Sequence, residues 1–401
     1  HCQSYISNLF MAKSFKTILK QTSKDFKSRS VNPPLVRTST MVFKSMSDLR
    51  QTQKKSLKNP RGGYFDYGRQ GTSTTLELEK LLTKLEESYY TFLTPTGFGA
   101  VFLTLFSILR PGDELIIADP VYSPTRNLTE KYLKDFQILA KFYNPNDLST
   151  IKKNLTKKTK LIYVENPGSN TFEFQDLGKI LSIAKSKKIY TAIDNTWGTP
   201  YFLKPIKLGF DLSIVSGTKY YSGHSDVMGG SLAVSQRVFR RVLQAHNMTG
   251  LRLSPDDAYL IMRGLRTLDV RLDKHEENSI KIARFLSQKK NIEVLYPFKK
   301  NSKNYKLWKK YYSGSSGLMG LKITSKNKKS VDKFVNSLKH FGHGYSWGGF
   351  ESLALHQEIK EQGNRKYLKL RSNEYIVRLH IGLEDLEDLI RDLKNSLKHI
   401  R

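Results

Sequence analysis

Residues 211–230 read "DLSIVSGTKYYSGHSDVMGG", and this segment carries the strongest fold signal in the chain. An apolar run, typical of a buried β-strand, ends at Ser216. Lys219 follows it among serine, threonine, glycine and tyrosine. Because burial destabilises an ammonium group, these surroundings do not suit a lysine that only carries surface charge. The pattern therefore indicates a chemical role for Lys219.

Apolar runs and helical stretches alternate on both sides of this segment. The runs that resemble buried strands are "YYTFL", "DELIIAD", "KLIYVE", "IYTAID", "DLSIVS" and "GGSLAV". Helical stretches between them include "GFGAVFLTLFSILR" and "LGKILSIAKSK". This alternation predicts an α/β fold, in which helices cover both faces of a mostly parallel central sheet. In such a sheet, ligands bind beyond the carboxyl ends of the strands.

The composition of the chain changes twice, which predicts three parts. Residues 1–70 are polar and rich in loop signals, so we expect an arm made of a short helix and extended chain. Residues 71–266 hold the sheet pattern and begin with a helix whose capping box we place at Thr74 and Glu77. Residues 267–401 predict a smaller α+β domain, with strands in "GLMGLKIT" and "YIVRLHIG" and amphipathic helices in "KSVDKFVNSLKHF" and "EDLEDLIRDLKNSLKHI".

Composition limits the classes of protein to consider. The 401 residues are 38% hydrophobic, and no apolar run approaches the roughly 18 residues needed to span a bilayer. The first residues lack the pattern of a signal peptide, and Met11 is an alternative start to His1. The single cysteine, Cys2, excludes an internal disulfide framework. We therefore expect a cytoplasmic protein without membrane association.

The formal net charge of +31 raises the hypothesis of nucleic-acid binding. The basic residues are mostly lysines spread along the whole chain, as in "QKKSLK", "KSKK" and "SKNKKS", and no RNA-binding motif accompanies them. We therefore expect nonspecific binding to polyanions at low salt and no specific nucleic-acid partner.

Several predicted strand ends are followed by groups that can hydrogen-bond to a ligand. In "FLTPTGFGAV", a helix begins at Gly97 and Phe98, where free N–H groups suit a phosphate, although a plain tight turn is the alternative. Asp194 ends another strand, where a carboxylate is costly unless it is paired, and a helix cap is the alternative. Ser216 and Thr218 place two hydroxyl groups just before Lys219.

This combination suits pyridoxal phosphate (PLP). A lysine can bond the aldehyde of the cofactor, and an aspartate can keep the pyridine nitrogen protonated. Asp194 lies 25 residues before Lys219, on a neighbouring predicted strand. Desolvation would lower the pKa of the lysine, as an amine nucleophile requires.

Longer motifs extend the pattern, and through them the chain resembles the Cys/Met-metabolism family of PLP enzymes, in particular its cystathionine β-lyases. "SGTKYYSGHSDVMGG" is similar to the lysine motif of the family and "IDNTWGTPYFLKP" to its aspartate motif. "YGRQGTSTTLELE" resembles an arm that reaches the neighbouring subunit, and "YSWGGFESL" and "VRLHIGLEDLEDLI" resemble the C-terminal domain of the β-lyases. The resemblance implies the fold type I, aspartate-aminotransferase-like architecture and a homo-oligomer, with a tetramer of paired dimers favoured.

The resemblance also implies roles for residues at the cofactor. Lys219 would form the Schiff base and carry protons, Asp194 would pair with the pyridine nitrogen, and Tyr122 would stack on the ring. The expected phosphate ligands are Gly97, Phe98, Ser216 and Thr218, together with Tyr67 and Arg69 from the arm of the partner subunit. Phe98 stands where methionine is common in the family, which matters little if only its N–H group is used.

Other implied roles concern the substrate. Arg378 would bind the substrate carboxylate as a two-pronged ion pair. Ser346 and Trp347 would assist through their backbone groups. Tyr122 and Tyr67 join Lys219 as the expected catalytic residues. His224 in "SGHSD" is expected to be a structural, hydrogen-bonded histidine, and no metal site is expected, because no second ligand stands at metal spacing.

The reaction implied is β-elimination on L-cystathionine, in which homocysteine leaves and pyruvate and ammonia remain. Release of sulfide from cysteine and racemisation of alanine are possible side activities. The γ-lyases and γ-synthases of the family share Lys219, Asp194 and Arg378. "ENPGSNTFE" favours the β-branch, because Gly168 and Ser169 stand where the γ-branch typically has a Pro-x-Asn-Pro pattern. A non-enzymatic binding protein is a further alternative, which the presence of all three shared residues disfavours.

Overall fold

The structure is a computed structural model that describes residues 13–21, 29–359 and 365–400. Cys2 and Met11 lie outside the described residues. Within those ranges, none of the helices combines the length and the apolar character that a membrane crossing requires.

All eight strands that the sequence predicts are present. Four further strands were not predicted: Leu139–Tyr143, Ile292–Leu295, Phe341–Gly342 and Ser352–Gln357. The strands are β1 (Tyr90–Thr94), β2 (Glu114–Ala118), β3 (Leu139–Tyr143), β4 (Thr159–Glu165), β5 (Tyr190–Asp194), β6 (Leu212–Ser216), β7 (Gly230–Val234), β8 (Ile292–Leu295), β9 (Leu318–Thr324), β10 (Phe341–Gly342), β11 (Ser352–Gln357) and β12 (Glu374–His380). The helices are α1 (Phe15–Lys20), α2 (Met46–Lys58), α3 (Ser73–Glu86), α4 (Gly97–Ile108), α5 (Ser123–Asn127), α6 (Leu133–Asp135), α7 (Ser149–Asn154), α8 (Leu177–Ser186), α9 (Thr199–Phe202), α10 (Pro205–Leu208), α11 (Phe239–Thr249), α12 (Pro255–Leu265), α13 (Leu268–Leu286), α14 (Lys303–Tyr311), α15 (Lys328–Asn336) and α16 (Leu386–Ser396).

The central sheet has seven strands in the order β1-β7-β6-β5-β4-β2-β3. All neighbouring strands from β6 to β3 are parallel, and only β7 runs in the opposite direction to the others. The predicted α/β fold with a mostly parallel sheet is therefore confirmed. The carboxyl ends of β1, β4, β5 and β6 lie along one edge, where the register places Glu165 opposite Asp194.

Successive residues of the buried strands point into two separate cores. Ile116 packs in the core that contains α3, α8, α12 and α13, whereas Ile117 packs in the core that contains α4 and α11. Because side chains alternate along a strand, this arrangement places helices on both faces of the sheet.

A second sheet follows in the order β10-β11-β12-β9-β8, and all of its pairs are antiparallel except β10–β11. Its buried residues join the same core as α15 and α16, the two amphipathic helices that the sequence predicts. The predicted boundary between residues 266 and 267 falls between α12 and α13.

The first helix of the central domain is capped differently from the prediction. The N-cap is Thr72, whose side chain and that of Thr75 form the reciprocal capping box. Thr74 is instead turned towards the arm, where its hydroxyl donates to Pro34 O (2.7 Å) and accepts from Val36 N (2.8 Å). The placement of the capping box at Thr74 and Glu77 was therefore wrong, because a tertiary contact with the arm occupies the Thr74 side chain.

Helix α3 also carries a buried acid behind the lysine segment. The Glu86 side chain accepts from Tyr221 Oη (3.3 Å) and, at 3.5 Å, from Ser213 Oγ. Burial raises its pKa to about 8, while the two hydroxyl groups and the charge of Lys204 act in the opposite direction.

Replacement of Glu86 by glutamine should remove a pH-dependent loss of stability. Because the folded-state pKa lies above the ordinary value of 4.5, folding stability is full below that value and is lost as the pH rises through about 8. Glu86→Gln should therefore have a higher melting temperature than wild type at pH 8–9, and the difference should shrink at pH 5. For a chain of 401 residues the shift is roughly 1 °C per kcal/mol. A difference in melting temperature between Glu86→Gln and wild type that is the same at pH 5 and at pH 8–9 would contradict the assignment.

Candidate active site

Lys219 lies in a turn that directly follows the carboxyl end of β6. Its backbone N–H donates to Ser216 O (3.1 Å), and Thr218 N–H donates to Gly229 O (3.2 Å). The Thr218 hydroxyl also accepts from Gly229 N (3.0 Å). These bonds tie the turn to the residues that lead into β7, so the position of the lysine backbone is fixed by the sheet.

The amine of Lys219 is held by the C-terminal domain. Nζ donates to Ser346 Oγ (2.8 Å) and lies 5.5 Å from the centre of the Trp347 ring. Burial and the nearby positive charge of Arg378 lower the pKa of Lys219 to about 8, while Asp194 acts in the opposite direction. About a tenth of the amine is therefore neutral at pH 7, far more than for an ordinary lysine, and the neutral form is the one that nucleophilic and proton-transfer chemistry requires.

Two carboxylates stand side by side at the strand ends. Asp194 Oδ1 accepts from Thr196 N (2.9 Å), and Glu165 Oε2 accepts from Tyr122 N (2.7 Å). Burial raises the pKa of both groups. The negative charge of Asp194 raises the pKa of Glu165 further, because the two charges repel. The sequence analysis did not single out Glu165, although an acidic residue at the end of a buried strand was an available signal.

The four expected phosphate ligands meet at one corner of the sheet. Helix α4 begins at Gly97, with Thr96 as its N-cap, so the N–H groups of Gly97 and Phe98 precede the first intrahelical hydrogen bond. A Cβ atom at position 97 would lie 2.5 Å from Ser216 Cβ and Oγ. Glycine is therefore required for the helix to approach the end of β6.

Arg378 reaches the site from β12. It lies on the inner side of the second sheet, and its Nη2 donates to Ser346 O (3.0 Å). Burial lowers its pKa to about 10, and Tyr345 and Tyr122 act in the opposite direction, so the guanidinium stays charged at neutral pH. Ser346 thus contacts Lys219 through its side chain as well as Arg378 through its backbone, and only the backbone role was expected.

Tyr122 follows β2 at the same edge of the sheet. Its ring is 47% exposed, and burial, Glu165 and Asp194 together raise its pKa. A half-exposed ring next to the two acids is free to stack on a planar ligand.

Tyr67 and Arg69 do not join these residues within the chain. Tyr67 forms an isolated bridge with Thr40 and is 45% exposed, and Arg69 lies 5.8 Å from the centre of the Tyr67 ring. None of their described contacts reaches Lys219 or Asp194, so the structure of one chain leaves these two residues on the arm.

A buried ion-pair network joins the second domain to this edge of the sheet. The carboxylate of Asp119 accepts from Arg126 Nη2 (2.7 Å), from the backbone N–H groups of Lys366 and Tyr367 (3.0 Å each) and from Arg365 Nε (3.4 Å). Arg365 also donates to Thr171 Oγ1 (2.9 Å). The network fixes the loop that contains Ser169, and the sequence analysis did not anticipate it.

His224 lies on the surface near the lysine turn, with Nδ1 2.6 Å from Ser222 O. Across the part of the chain that the structure describes, no cluster of three histidine, cysteine or acidic residues has the arrangement of a metal site.

Comparison with known proteins identifies the scaffold. The model of the Cys/Met metabolism PLP-dependent enzyme family matches residues 15–398. The chain belongs to this family. The sequence is 36% identical over 371 residues to a putative cystathionine β-lyase of Rhizobium johnstonii, an alignment that covers 91% of each chain.

Other relatives carry the same or related names. A cystathionine β-lyase of Haemophilus influenzae is 34% identical, covering 94% of this chain and 96% of the relative, and an L-alanine/L-glutamate racemase of Wolbachia pipientis is 31% identical, covering 94% of each. The crystal structure of a cystathionine γ-synthase from Xanthomonas oryzae pv. oryzae superposes with a TM-score of 0.87 at 29% identity, covering 96% of this chain and 98% of that one.

Membership of the family implies PLP as the cofactor, and the residues present fit it. Gly97 leaves the helix start open against Ser216, the amine of Lys219 has a lowered pKa, and Asp194 offers a carboxylate at the end of the neighbouring strand β5. These features supply an anion cradle, an amine and an acid for the pyridine nitrogen.

Alanine at position 97 should weaken cofactor binding. The added Cβ would force α4 and Ser216 apart, and such overpacking costs about 1–3 kcal/mol, which corresponds to roughly a tenfold loss of PLP affinity or more. Titration of the apoprotein with PLP, followed by tryptophan fluorescence, measures the change. Gly344→Ala is the control, since no atom lies within 4 Å of a Cβ there. Equal Kd values for both variants would exclude the cradle.

Proposed function

We propose that the protein is a PLP-dependent C–S β-lyase that cleaves L-cystathionine, with one water, to L-homocysteine, pyruvate and ammonia. The observation that carries this proposal is the environment of Lys219, whose amine has a lowered pKa and is near enough to Asp194 and Arg378 for both charges to act on it. An amine so placed can take the proton from the α-carbon of an amino acid and return it to another atom.

Each residue of the site has a distinct task in this proposal. PLP, when bound, withdraws electrons from the α-carbon of the substrate and thereby makes its proton acidic. Lys219 removes that proton, and Ser346 keeps Nζ in place at 2.8 Å. Asp194 holds the positive charge of the pyridine nitrogen, and Tyr122 packs on the ring.

Arg378 binds the α-carboxylate of the substrate in the proposed complex. One Nη2 hydrogen bond holds the guanidinium to Ser346 O, which leaves its other N–H groups for a paired contact with a carboxylate. Lys219 and Arg378 are tied to the same serine, so the proton acceptor and the carboxylate clamp keep a fixed distance from each other. Such pre-organisation favours reaction over mere binding.

The loop at residues 168–172 supports the β-lyase over other reactions of the family. Ser169 N–H donates to Pro120 O (2.6 Å), and a Cβ at Gly168 would lie 2.6 Å from the Pro120 ring. The loop therefore packs directly on the segment that leads to Tyr122. The two β-lyase relatives, at 34% and 36% identity, support the same branch.

Racemisation is the second candidate, because the Wolbachia relative named for that activity is similar along nearly the whole chain. The same proton abstraction begins both reactions, and only the fate of the α-carbon differs. We propose the β-lyase as the main activity, in the methionine biosynthetic direction, and the cytoplasm as its location.

Product analysis tests the reaction. The holoenzyme with L-cystathionine should release pyruvate and homocysteine; a γ-type enzyme would release 2-oxobutyrate and cysteine, and a racemase would convert L-alanine to D-alanine without keto acid. The bound cofactor should absorb near roughly 420 nm, and Lys219→Ala should lose turnover by several orders of magnitude while it stays folded. Pyruvate formation that survives in Lys219→Ala would overturn the proposal, as would a wild-type protein that never binds PLP.

We also propose that the site is shared between two copies of the chain, in a dimer or a tetramer of paired dimers. The arm exposes apolar side chains, with Val42 at 92% and Leu57 at 79% exposure, as expected of a surface that a second chain covers. Tyr67 and Arg69 would then reach the phosphate in the partner's site.

Mixing two inactive variants tests the shared site. A Lys219→Ala chain keeps Arg69, and an Arg69→Ala chain keeps Lys219, so a mixed dimer contains one complete site. Random exchange should restore about a quarter of the wild-type activity, because half of the dimers are mixed and each has one intact site of two. Mixing Lys219→Ala with a Lys219→Ala/Arg69→Ala chain should restore none. Absence of rescue after demonstrated subunit exchange would refute the shared site.

A further inference from the structure

A fully buried histidine stands behind the residues that hold Lys219. His380 is the last residue of β12, two positions after Arg378, and is 1% exposed. Its Nε2 accepts from Gly348 N (3.1 Å), so the ring proton is on Nδ1, which donates to Glu351 O (3.0 Å). Both ring nitrogens are therefore engaged by a single neutral tautomer.

The surroundings keep this imidazole neutral. Burial lowers the pKa of His380 well below its usual value, and the nearby His275, Arg378 and Lys219 lower it further. The His275 ring lies 5.1 Å away and the Tyr220 ring 6.0 Å away. A neutral ring can accept from the backbone N–H of Gly348, so the lowered pKa of His380 is consistent with the observed hydrogen bond.

The segment that His380 anchors is under strain. Ser346 has φ +78°, in the left-handed region that serine rarely adopts, and Gly348 has φ +89°. A Cβ at Gly348 would lie 2.9 Å from Lys219 C and from Tyr220 N, so this backbone presses against the lysine turn. A strained conformation of this kind persists only where several contacts enforce it.

We propose that His380 is a positioning residue of the active site: by holding Gly348 N–H, it maintains the Ser346 turn, which in turn holds both Lys219 Nζ and Arg378. The proposal rests on the function proposed above for Lys219 and Arg378. The bond from Arg378 to Ser346 O supports the turn from one side, and the bond from Gly348 to His380 supports it from the other. Without His380, the buried N–H of Gly348 has no acceptor and the turn relaxes.

His380→Leu removes the acceptor, and His380→Gln retains an amide oxygen that can accept from Gly348. His380→Leu should still bind PLP and absorb near roughly 420 nm, but its kcat/KM for cystathionine should fall about 10- to 100-fold, because Lys219 and Arg378 both lose the support of the Ser346 turn. Displacement of Lys219 should lower kcat, and displacement of Arg378 should raise KM. His380→Gln should recover at least about a third of the lost effect on a logarithmic scale.

Hydrogen exchange supplies a readout that does not depend on turnover. In the apoprotein, a peptide covering residues 345–349 should exchange faster in His380→Leu than in wild type, and His380→Gln should lie between them. His246→Leu is the matched control. His246 lies on α11 and is equally buried, and its Nε2 lies 2.8 Å from Leu93 O. It should lower the melting temperature but leave exchange at 345–349 and kcat/KM within about twofold of wild type.

Two results would overturn the inference: unchanged exchange at 345–349 in His380→Leu, or a kcat/KM within about twofold of wild type for the folded protein. If His380→Leu does not fold, His380→Asn and His380→Gln decide the question by the same two measurements. A failure of the β-lyase proposal can be distinguished from a failure of this inference. The first appears as different products from the wild-type enzyme, whereas hydrogen exchange is measured without any substrate.

Discussion

The hydrogen bond from Lys219 Nζ to Ser346 Oγ is the contact on which the organisation of the site depends. An amine at the edge of a buried sheet loses its hydration, and its pKa falls to about 8. The cost of burying a polar group is offset only when a partner replaces water. That partner comes from the loop between β10 and β11 of the second sheet, 127 residues along the chain. The two domains therefore have to pack in this arrangement for the lysine to be both reactive and held in place.

The central sheet makes the rest of the site possible because only β7 runs in the opposite direction to the others. Its first residue, Gly230, pairs with both Thr94 and Ser216, so the carboxyl ends of β1 and β6 flank it. Helix α4 begins directly after β1, and its glycine start fits against Ser216. An anion cradle thus arises from strand order and from a missing Cβ, and it lies beside the turn that carries Lys219.

The same scaffold serves several reactions, as the names of its relatives show. All of them begin with the α-carbon of an amino acid, so the lysine, the acid and the arginine are common requirements. What differs has to come from the loops that set the position of the leaving group and of returning protons. In this chain, Arg365 and Asp119 tie the C-terminal domain to the loop of residues 168–172, so the loop is rigidly placed.

The sequence by itself determined the α/β class and eight of the twelve strands described, and it predicted Lys219 and Asp194 as the centre of a PLP site. These features are local, because strand patterns, a lysine after an apolar run and motif spacing are all readable over a few residues. Tertiary structure alone decided that Glu165 lies opposite Asp194, that Thr74 turns to the arm, and that His380 accepts a hydrogen bond from Gly348. These contacts join residues from 29 to 40 positions apart, and the Lys219–Ser346 bond joins residues still further apart. Strand register and domain packing bring such residues together, and no local pattern specifies either.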